Sequence, residues 1–383
     1  MLPRNIYTEE HLLFKKSVED FVAKEITPYH AQWEKEQMVS RESWRKLGDA
    51  GFLCMQVPQQ YGGLEIKDFR YNAIFTEVLG YSGCAGPAVG YPLHSDIVMP
   101  YILHYGNEAT KQKYLPKLVT GEWIAAIAMT EPAAGSDLQG IKSTAVDKGD
   151  YYLLNGSKTF ITNGYLADVV VVAAKTNPEL GAKGTSLFVV DTTMQGFTKG
   201  KPFHKVGLHS QDTCELFFDN VKIPKENLLG IEGQGFKYLM TELAQERLVV
   251  ALGALAAAEG VLDKTVQYVK ERKAFGKSLS EFQNTRFKLA EIASEVSIMR
   301  VFLDRCVELH NEKQLDGSMA SMAKYAATEL QCKVADEAVQ LHGGYGYIWE
   351  YDVARAYADA RVQRIYAGTN EIMKELIARK LLS

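Results

Sequence analysis

The sequence has no block of like charge. Its 43 Lys and Arg and 47 Asp and Glu are dispersed and leave a formal net charge of −4. A stripe able to follow a nucleic-acid backbone is therefore missing, and any cationic site must be local. It also lacks a Cys-x-x-Cys pair. The five cysteines (Cys54, Cys84, Cys214, Cys306 and Cys332) lie far apart, which argues against a disulfide framework and fits a reducing compartment. Long apolar runs are absent too: the longest helical one, Leu248 to Ala258, is bracketed by Arg247 and Glu259 and is too short to span a bilayer. The opening Met1-Leu2-Pro3-Arg4 leads at once to Glu9 and Glu10, with no apolar signal core. A soluble, intracellular chain is expected.

Several chemistries lack their parts. No G-x-G-x-x-G follows a strand, so a Rossmann dinucleotide site is unsupported. Walker A, H-E-x-x-H and G-x-S-x-G are all missing. The eight histidines include His204 and His209, but no carboxylate or cysteine set completes a metal site with them.

What is present is organised in three parts. A chain of 383 residues with 46% hydrophobic and 23% charged residues suits two or three packed units. Residues 1–122 read as a helical domain. Phe14, Val18, Phe21 and Val22 recur at helical spacing until Pro28 closes the segment, and a second helix is expected after Ser40, burying Trp44 and Leu47. Residues 123–232 read as β: short runs at Ile124–Met129, Tyr151–Leu154, Lys158–Thr162, Val169–Ala173, Ser186–Asp191 and Glu215–Phe218, with Asn155-Gly156 as a hairpin turn between two of them. Residues 233–383 return to helix, with long stretches near 236–270, 281–312 and 317–342. The expectation is an α+β multidomain protein: an N-terminal helical domain, a middle antiparallel β-sandwich or barrel, and a C-terminal four-helix bundle.

Five turn-rich motifs punctuate this layout: Met129-Thr130-Glu131-Pro132-Ala133-Ala134-Gly135-Ser136-Asp137, Phe160-Ile161-Thr162-Asn163-Gly164, Arg272-Lys273-Ala274-Phe275-Gly276-Lys277, Gln340-Leu341-His342-Gly343-Gly344-Tyr345-Gly346-Tyr347 and Ile365-Tyr366-Ala367-Gly368-Thr369-Asn370-Glu371. Singly, each has a bland reading. Arg272 suits a helix C-terminus, and Thr369 suits the N-cap of a helix carrying Ile372, Leu376 and Ile377. Together, and in this order, they resemble the acyl-CoA dehydrogenase family over essentially the whole chain, most closely its long-chain branch.

The resemblance implies FAD as cofactor, an acyl-CoA thioester as substrate and electron-transferring flavoprotein as acceptor. It implies flavin contacts from Met129, Thr130, Gly135, Ser136, Phe160, Ile161 and Thr162, with Thr162 near flavin N5 and Ser136 near the pyrophosphate or CoA side. Arg272, Phe275, Phe282, Gln283, Gln340, Leu341, Gly343 and Gly344 would serve the FAD of a neighbouring subunit, joined by Thr369 and Glu371. That sharing implies a dimer at least, commonly a homotetramer built as a dimer of dimers. Substrate contacts would come from Ser136, Arg247, Tyr366, Ala367 and Gly368. Location would be the bacterial cytoplasm or, for a processed eukaryotic protein, the mitochondrial matrix.

The implied reaction removes an α-proton from the thioester while the β-hydrogen leaves as hydride. In many family members the base is a Glu just before the Gly-Thr of the last motif; here that place is Ala367. The long-chain and isovaleryl branches carry theirs on the first helix of the C-terminal domain, and Leu243-Ala244-Gln245-Glu246-Arg247-Leu248 puts Glu246 in that position. A helical Glu usually faces solvent, as Glu242 one turn earlier is expected to do, yet Glu246 stands beside the apolar stripe of Leu243, Val250 and Leu255. Rival readings are an acyl-CoA oxidase or other flavoenzyme on this fold, or a non-catalytic flavin- or CoA-binding assembly protein. Ser82-Gly83-Cys84-Ala85-Gly86 reads equally as room for an acyl tail and as a close helix contact.

Overall fold

The computed structural model describes residues 3–383. Its first third is helical: α1 (Glu9–Phe21), α2 (His30–Glu36), α3 (Arg41–Asp49), α4 (Arg70–Ser82), α5 (Ala85–Pro92), α6 (Met99–Tyr105) and α7 (Glu108–Val119). Pro28 bends the chain rather than closing it. A π turn (Val22–Ile26) and a 3-10 turn (Thr27–Tyr29) lead directly into α2, because a proline in the first turn of a new segment gives up an N–H that has no helical partner there. Ser40 caps α3 as expected, its Oγ accepting from Ser43 N at 3.3 Å, and Trp44 and Leu47 are buried.

The middle part is one sheet built from β1 (Ala125–Ala128), β2 (Thr144–Asp147), β3 (Tyr151–Ile161), β4 (Val169–Lys175), β5 (Thr185–Asp191), β6 (Phe197–Lys199), β7 (Cys214–Pro224) and β8 (Leu228–Leu229), in the order β6-β7-β3-β2-β4-β5-β8. It is mostly antiparallel, but β1 runs parallel to β4 with Ala125 opposite Val169, and β2 meets β4 parallel at Thr144 and Lys175. Strand β4 is buried on both faces, which explains its unbroken run Val169-Val170-Val171-Val172-Ala173-Ala174. Val169, Val171 and Ala173 join the core of the N-terminal helices, whereas Val170, Val172 and Ala174 join the core of the sheet itself.

The expected hairpin at Asn155-Gly156 does not form. Tyr151–Ile161 is a single strand, with a bulge between Leu154 and Gly156 against β7. Gly156 takes φ 144°, and a Cβ there would lie 2.2 Å from Ser143 Oγ. The glycine answers a close neighbour rather than a turn.

The last part begins with α8 (Gly235–Glu271), about 55 Å long at 1.5 Å per residue. A short hairpin of β9 (Lys273–Ala274) and β10 (Lys277–Ser278) leads to α9 (Gln283–Asn311), α10 (Gly317–His342), α11 (Asp352–Gln363) and α12 (Asn370–Leu382). Leu248, Leu252 and Leu255 of α8 share a core with Val296 and Leu303 of α9 and Ala327 and Val334 of α10. On its other side α8 lies tightly on α4: a Cβ added to Gly80 would sit 2.6 Å from Gly253 O, and one added to Gly260 would sit 2.4 Å from Tyr81 O. One helix therefore carries side chains from the edge of the sheet to the heart of the bundle. Among the described residues, no helix is long and apolar enough to cross a membrane.

Candidate active site

Glu246 is buried in α8 (3% exposed). Its partner comes from α6: Tyr101 Oη donates to Glu246 Oε1 at 2.7 Å, across 145 residues of sequence. Burial disfavours the carboxylate most strongly, the charge of Glu242 adds to this, and the Tyr101 hydrogen bond and Arg247 oppose it. The net effect pushes Glu246 up to about 7. Glu242 itself does not face solvent as expected. It is buried and accepts from Tyr105 Oη at 2.8 Å, with His104 Nδ1 3.0 Å away. The helices α6 and α8 cross here, and their polar side chains satisfy one another.

A second wall comes from the turn before α12. Ala367 takes φ 52° and Gly368 φ 87°. The left-handed conformation costs a residue with a Cβ roughly 1–2 kcal/mol, so something must hold Ala367 in place. Lys324 of α10 does so, donating to Gly368 O at 2.8 Å and to Asn370 Oδ1 at 2.9 Å while fully buried. Burial, with Arg247 nearby, brings the Lys324 ammonium down to about 8. Thr369 caps α12 as expected, accepting from Ile372 N at 3.3 Å. Tyr366 Oη donates to Gln363 Oε1 at 2.6 Å.

The third wall consists of the ends of β1 and β3. Lys158 on β3 is buried and donates to Met129 O at 3.0 Å and to Glu131 Oε1 at 2.8 Å. Glu131 also accepts from the backbone N–H of Lys142 at 2.6 Å and of Ser143 at 3.0 Å. The turn after β1 is thus pinned by an ion pair, and its Met129, Thr130, Gly135 and Ser136 line a cavity.

These three walls enclose one cavity of about 1000 Å³. It gathers most of the residues singled out in the sequence: Glu246, Met129, Thr130, Gly135, Ser136, Phe160, Ile161, Thr162, Tyr366, Ala367, Gly368 and Thr369. Others are placed elsewhere. Arg272, Gln340, Leu341, Gly343 and Gly344 line a separate hollow of about 650 Å³ with Tyr268 and Tyr345. Phe275 is almost wholly exposed on the β9–β10 hairpin, its ring 6.2 Å from that of Phe282, and Gln283 opens α9. Glu371 sits exposed in the first turn of α12. Arg247 is buried and turned towards α10, donating to Ser321 Oγ at 3.2 Å.

Sequence reasoning missed Tyr101, Lys324 and the Glu131–Lys158 pair. Only a contact between distant segments reveals them: Glu131 lies within the Met129–Asp137 motif, but its pairing with Lys158 is not encoded there. It also missed Gln331 of α10, which lines the cavity with a buried Oε1 that has no partner. An unsatisfied acceptor, three hydroxyl side chains (Thr130, Ser136, Thr162) and open space around Gly135, where an added Cβ meets nothing within 4 Å, fit a large polar cofactor. Among the described residues, no group of His, Cys, Asp and Glu is arranged to hold a metal.

Comparison with known proteins finds similar chains over nearly the full length. The models for the N-terminal, middle and C-terminal domains of acyl-CoA dehydrogenase match residues 8–122, 126–221 and 233–382. The chain is 52% identical to the mitochondrial long-chain specific acyl-CoA dehydrogenase of Sus scrofa, covering 99% of this chain and 88% of that one. A solved acyl-CoA dehydrogenase from Geobacillus kaustophilus superposes with a TM-score of 0.96 at 53% identity, covering 98% of each chain. Another, from Bacillus anthracis and complexed with FAD, gives 0.91 at 32% identity, covering 98% of this chain and 68% of that one.

Proposed function

Because this chain belongs to the acyl-CoA dehydrogenase family, we propose that its cavity oxidises a long-chain or branched fatty acyl-CoA to the trans-2-enoyl-CoA, with Glu246 as the base. The protein is an oxidoreductase of CH–CH bonds that uses FAD, as the family does. The observation that carries the proposal is the pairing of a buried Glu246, hydrogen-bonded to Tyr101, with Ala367 in the same cavity.

Glu246 takes the α-proton, and its raised affinity for protons suits that task near neutral pH. Ala367 has no group to accept a proton. Its small side chain leaves room for the thioester, and its backbone N–H, in the turn that Lys324 holds, polarises the thioester oxygen as negative charge develops there. Bound FAD supplies the acceptor for the β-hydride. Thr130, Ser136 and Thr162 would hold it, with the Lys158–Glu131 pair keeping the turn of Thr130 and Ser136 in shape. Arg272, with Gln340, Gly343 and Gly344, would hold the pyrophosphate of a neighbouring subunit's FAD, in a homotetramer or at least a dimer; the separation of their hollow from the main cavity within one chain supports this reading. Electrons pass on to electron-transferring flavoprotein.

The acyl tail follows α8. Val249, Val250, Gly253 and Ala257 of α8 line the cavity together with Ala88, Val89, Pro92 and Leu93. In the stretch Ser82–Gly86, Ser82, Gly83, Cys84 and Ala85 line this trench of the cavity, which supports the reading as room for an acyl tail, while Gly86 packs closely on the turn at Ser210, where an added Cβ would lie 2.2 Å from Ser210 Oγ. The test is Glu246→Gln assayed with straight and branched acyl-CoA thioesters, with electron-transferring flavoprotein and oxygen compared as acceptors. It should keep its flavin and lose about 100- to 10,000-fold in turnover. A variant within tenfold of wild type would place the base elsewhere.

A further inference from the structure

The trench does not end in apolar side chains. Its walls beyond Gly253 follow one face of α8 through Ala257, Gly260 and Val261 to Lys264, the spacing that keeps residues on one side of a helix. Lys264 is 18 residues from Glu246, so at 1.5 Å per residue the two lie roughly 27 Å apart along the axis. An extended acyl chain advances about 1.3 Å per carbon, the projection of a C–C bond of about 1.5 Å. Counted from the α-carbon at the base, a 20-carbon chain extends about 23 Å and ends about 4 Å short of that level, within reach of the Lys264 side chain.

That end is charged. Lys264 pairs with Asp352 at the start of α11, and Arg355 one turn on pairs with the same carboxylate. Arg355 Nε also stands 4.0 Å from Glu34 Oε2 of α2. His30, Glu34, Lys264, Asp352 and Arg355 all line the cavity. A Cβ on Gly83 would lie 3.5 Å from Lys264 Nζ, so the ammonium covers the corner between α4 and α5. The two cations and two carboxylates balance. Burial lowers His30 to about 4, with Arg355 acting in the same direction, so it adds no charge at neutral pH.

Resting on the reading of the trench as an acyl site, the geometry points to a polar ω-subsite: Lys264, Asp352, Arg355 and Glu34 stop a chain that ends in methyl and admit one that ends in an oxygen function. These side chains are partly exposed (Lys264 41%, Asp352 49%, Arg355 23%), and a terminal methyl pressed against them displaces their water and returns no hydrogen bond. An ω-hydroxyl at the same depth both donates to the carboxylates and accepts from the cations. A neutral hydroxyl suits the balanced charges better than an ω-carboxylate, which would compete with Asp352 for both cations.

The test uses the flavin-loaded enzyme with matched acyl-CoA thioesters of 16, 18 and 20 carbons, each ending in methyl, hydroxyl or carboxyl. For methyl-ended chains kcat/KM should fall at least tenfold between 16 and 20 carbons, and the ω-hydroxy chain should recover at least tenfold at 20. In the double variant Lys264→Met with Asp352→Leu, with flavin content reporting its fold, the 20-carbon methyl chain should gain at least tenfold and the hydroxyl advantage should vanish. Equal use of methyl- and hydroxyl-ended chains at every length, or a variant that slows both alike, would overturn the subsite. So would a carboxyl-ended chain outrunning the hydroxyl-ended one in wild type. Failure to oxidise any 16-carbon thioester would instead count against the acyl-CoA reading beneath it.

Discussion

Glu131 in the middle domain and Glu246 in the helical bundle are the same residue type, both under 10% exposed, yet their surroundings drive them in opposite directions. Burial alone would raise both. At Glu131 it is outweighed by the charge and hydrogen bond of Lys158 and by the donors at Lys142 and Ser143, which hold the carboxyl below its ordinary value. At Glu246 the hydrogen bond from Tyr101 and the charge of Arg247 do not offset burial, and Glu242 adds its repulsion. The number and charge of donors, rather than depth, decides whether a buried carboxylate is a fixed strut or a base that exchanges a proton.

This contrast can be broken at either end. The largest effect is expected from Lys158→Met, which leaves Glu131 buried without its counter-ion. It should cost about 3–5 kcal/mol in denaturant unfolding and weaken flavin retention, because the turn from Met129 to Asp137 loses its support. A variant as stable as wild type would show that Glu131 does not depend on the pair.

A smaller effect of opposite sign is expected from Glu246→Gln. The folded protein holds the Glu246 proton up to about 7, whereas the unfolded chain releases it near 4.5. Stability from this group is therefore complete below the unfolded value and declines as pH rises to about 7. The Gln variant is free of that decline and should exceed wild type at pH 8 by on the order of 1–3 kcal/mol, the gap closing towards pH 4. A constant gap from pH 4 to 8 would disconnect it from titration.

The smallest effect is a refinement of position. Tyr101→Phe removes a bond that favours the carboxylate, so the acid limb of the kcat/KM profile should move up by about one pH unit, with activity largely recovered at high pH. A loss that is the same at every pH would give Tyr101 a packing role only.

Much of the fold is legible in the sequence where the evidence is periodic and local. The cap at Ser40, the long helices and the apolar run of β4 follow from side chains within a few residues of one another. Local signals mislead where a distant neighbour intervenes. Asn155-Gly156 has the composition of a hairpin turn, but Ser143 crosses it and the glycine relieves that contact within a continuous strand. Glu242 carries the pattern of a solvated helix face, but α6 covers it with His104 and Tyr105.

The sequence by itself determined the α–β–α order and the turn motifs, because residue type and spacing encode these directly, while the expectation of Glu246 as base in place of Ala367 came from the family resemblance those motifs carry. The tertiary structure alone decided the proton affinity of Glu246 and the support of the Ala367 turn. The hydroxyl of Tyr101, the charge of Glu242 and the buried Lys324 beneath the Ala367 turn come from α6, α8 and α10. Proton affinity in a buried site is a sum over neighbours in space, and only packed helices bring those neighbours together.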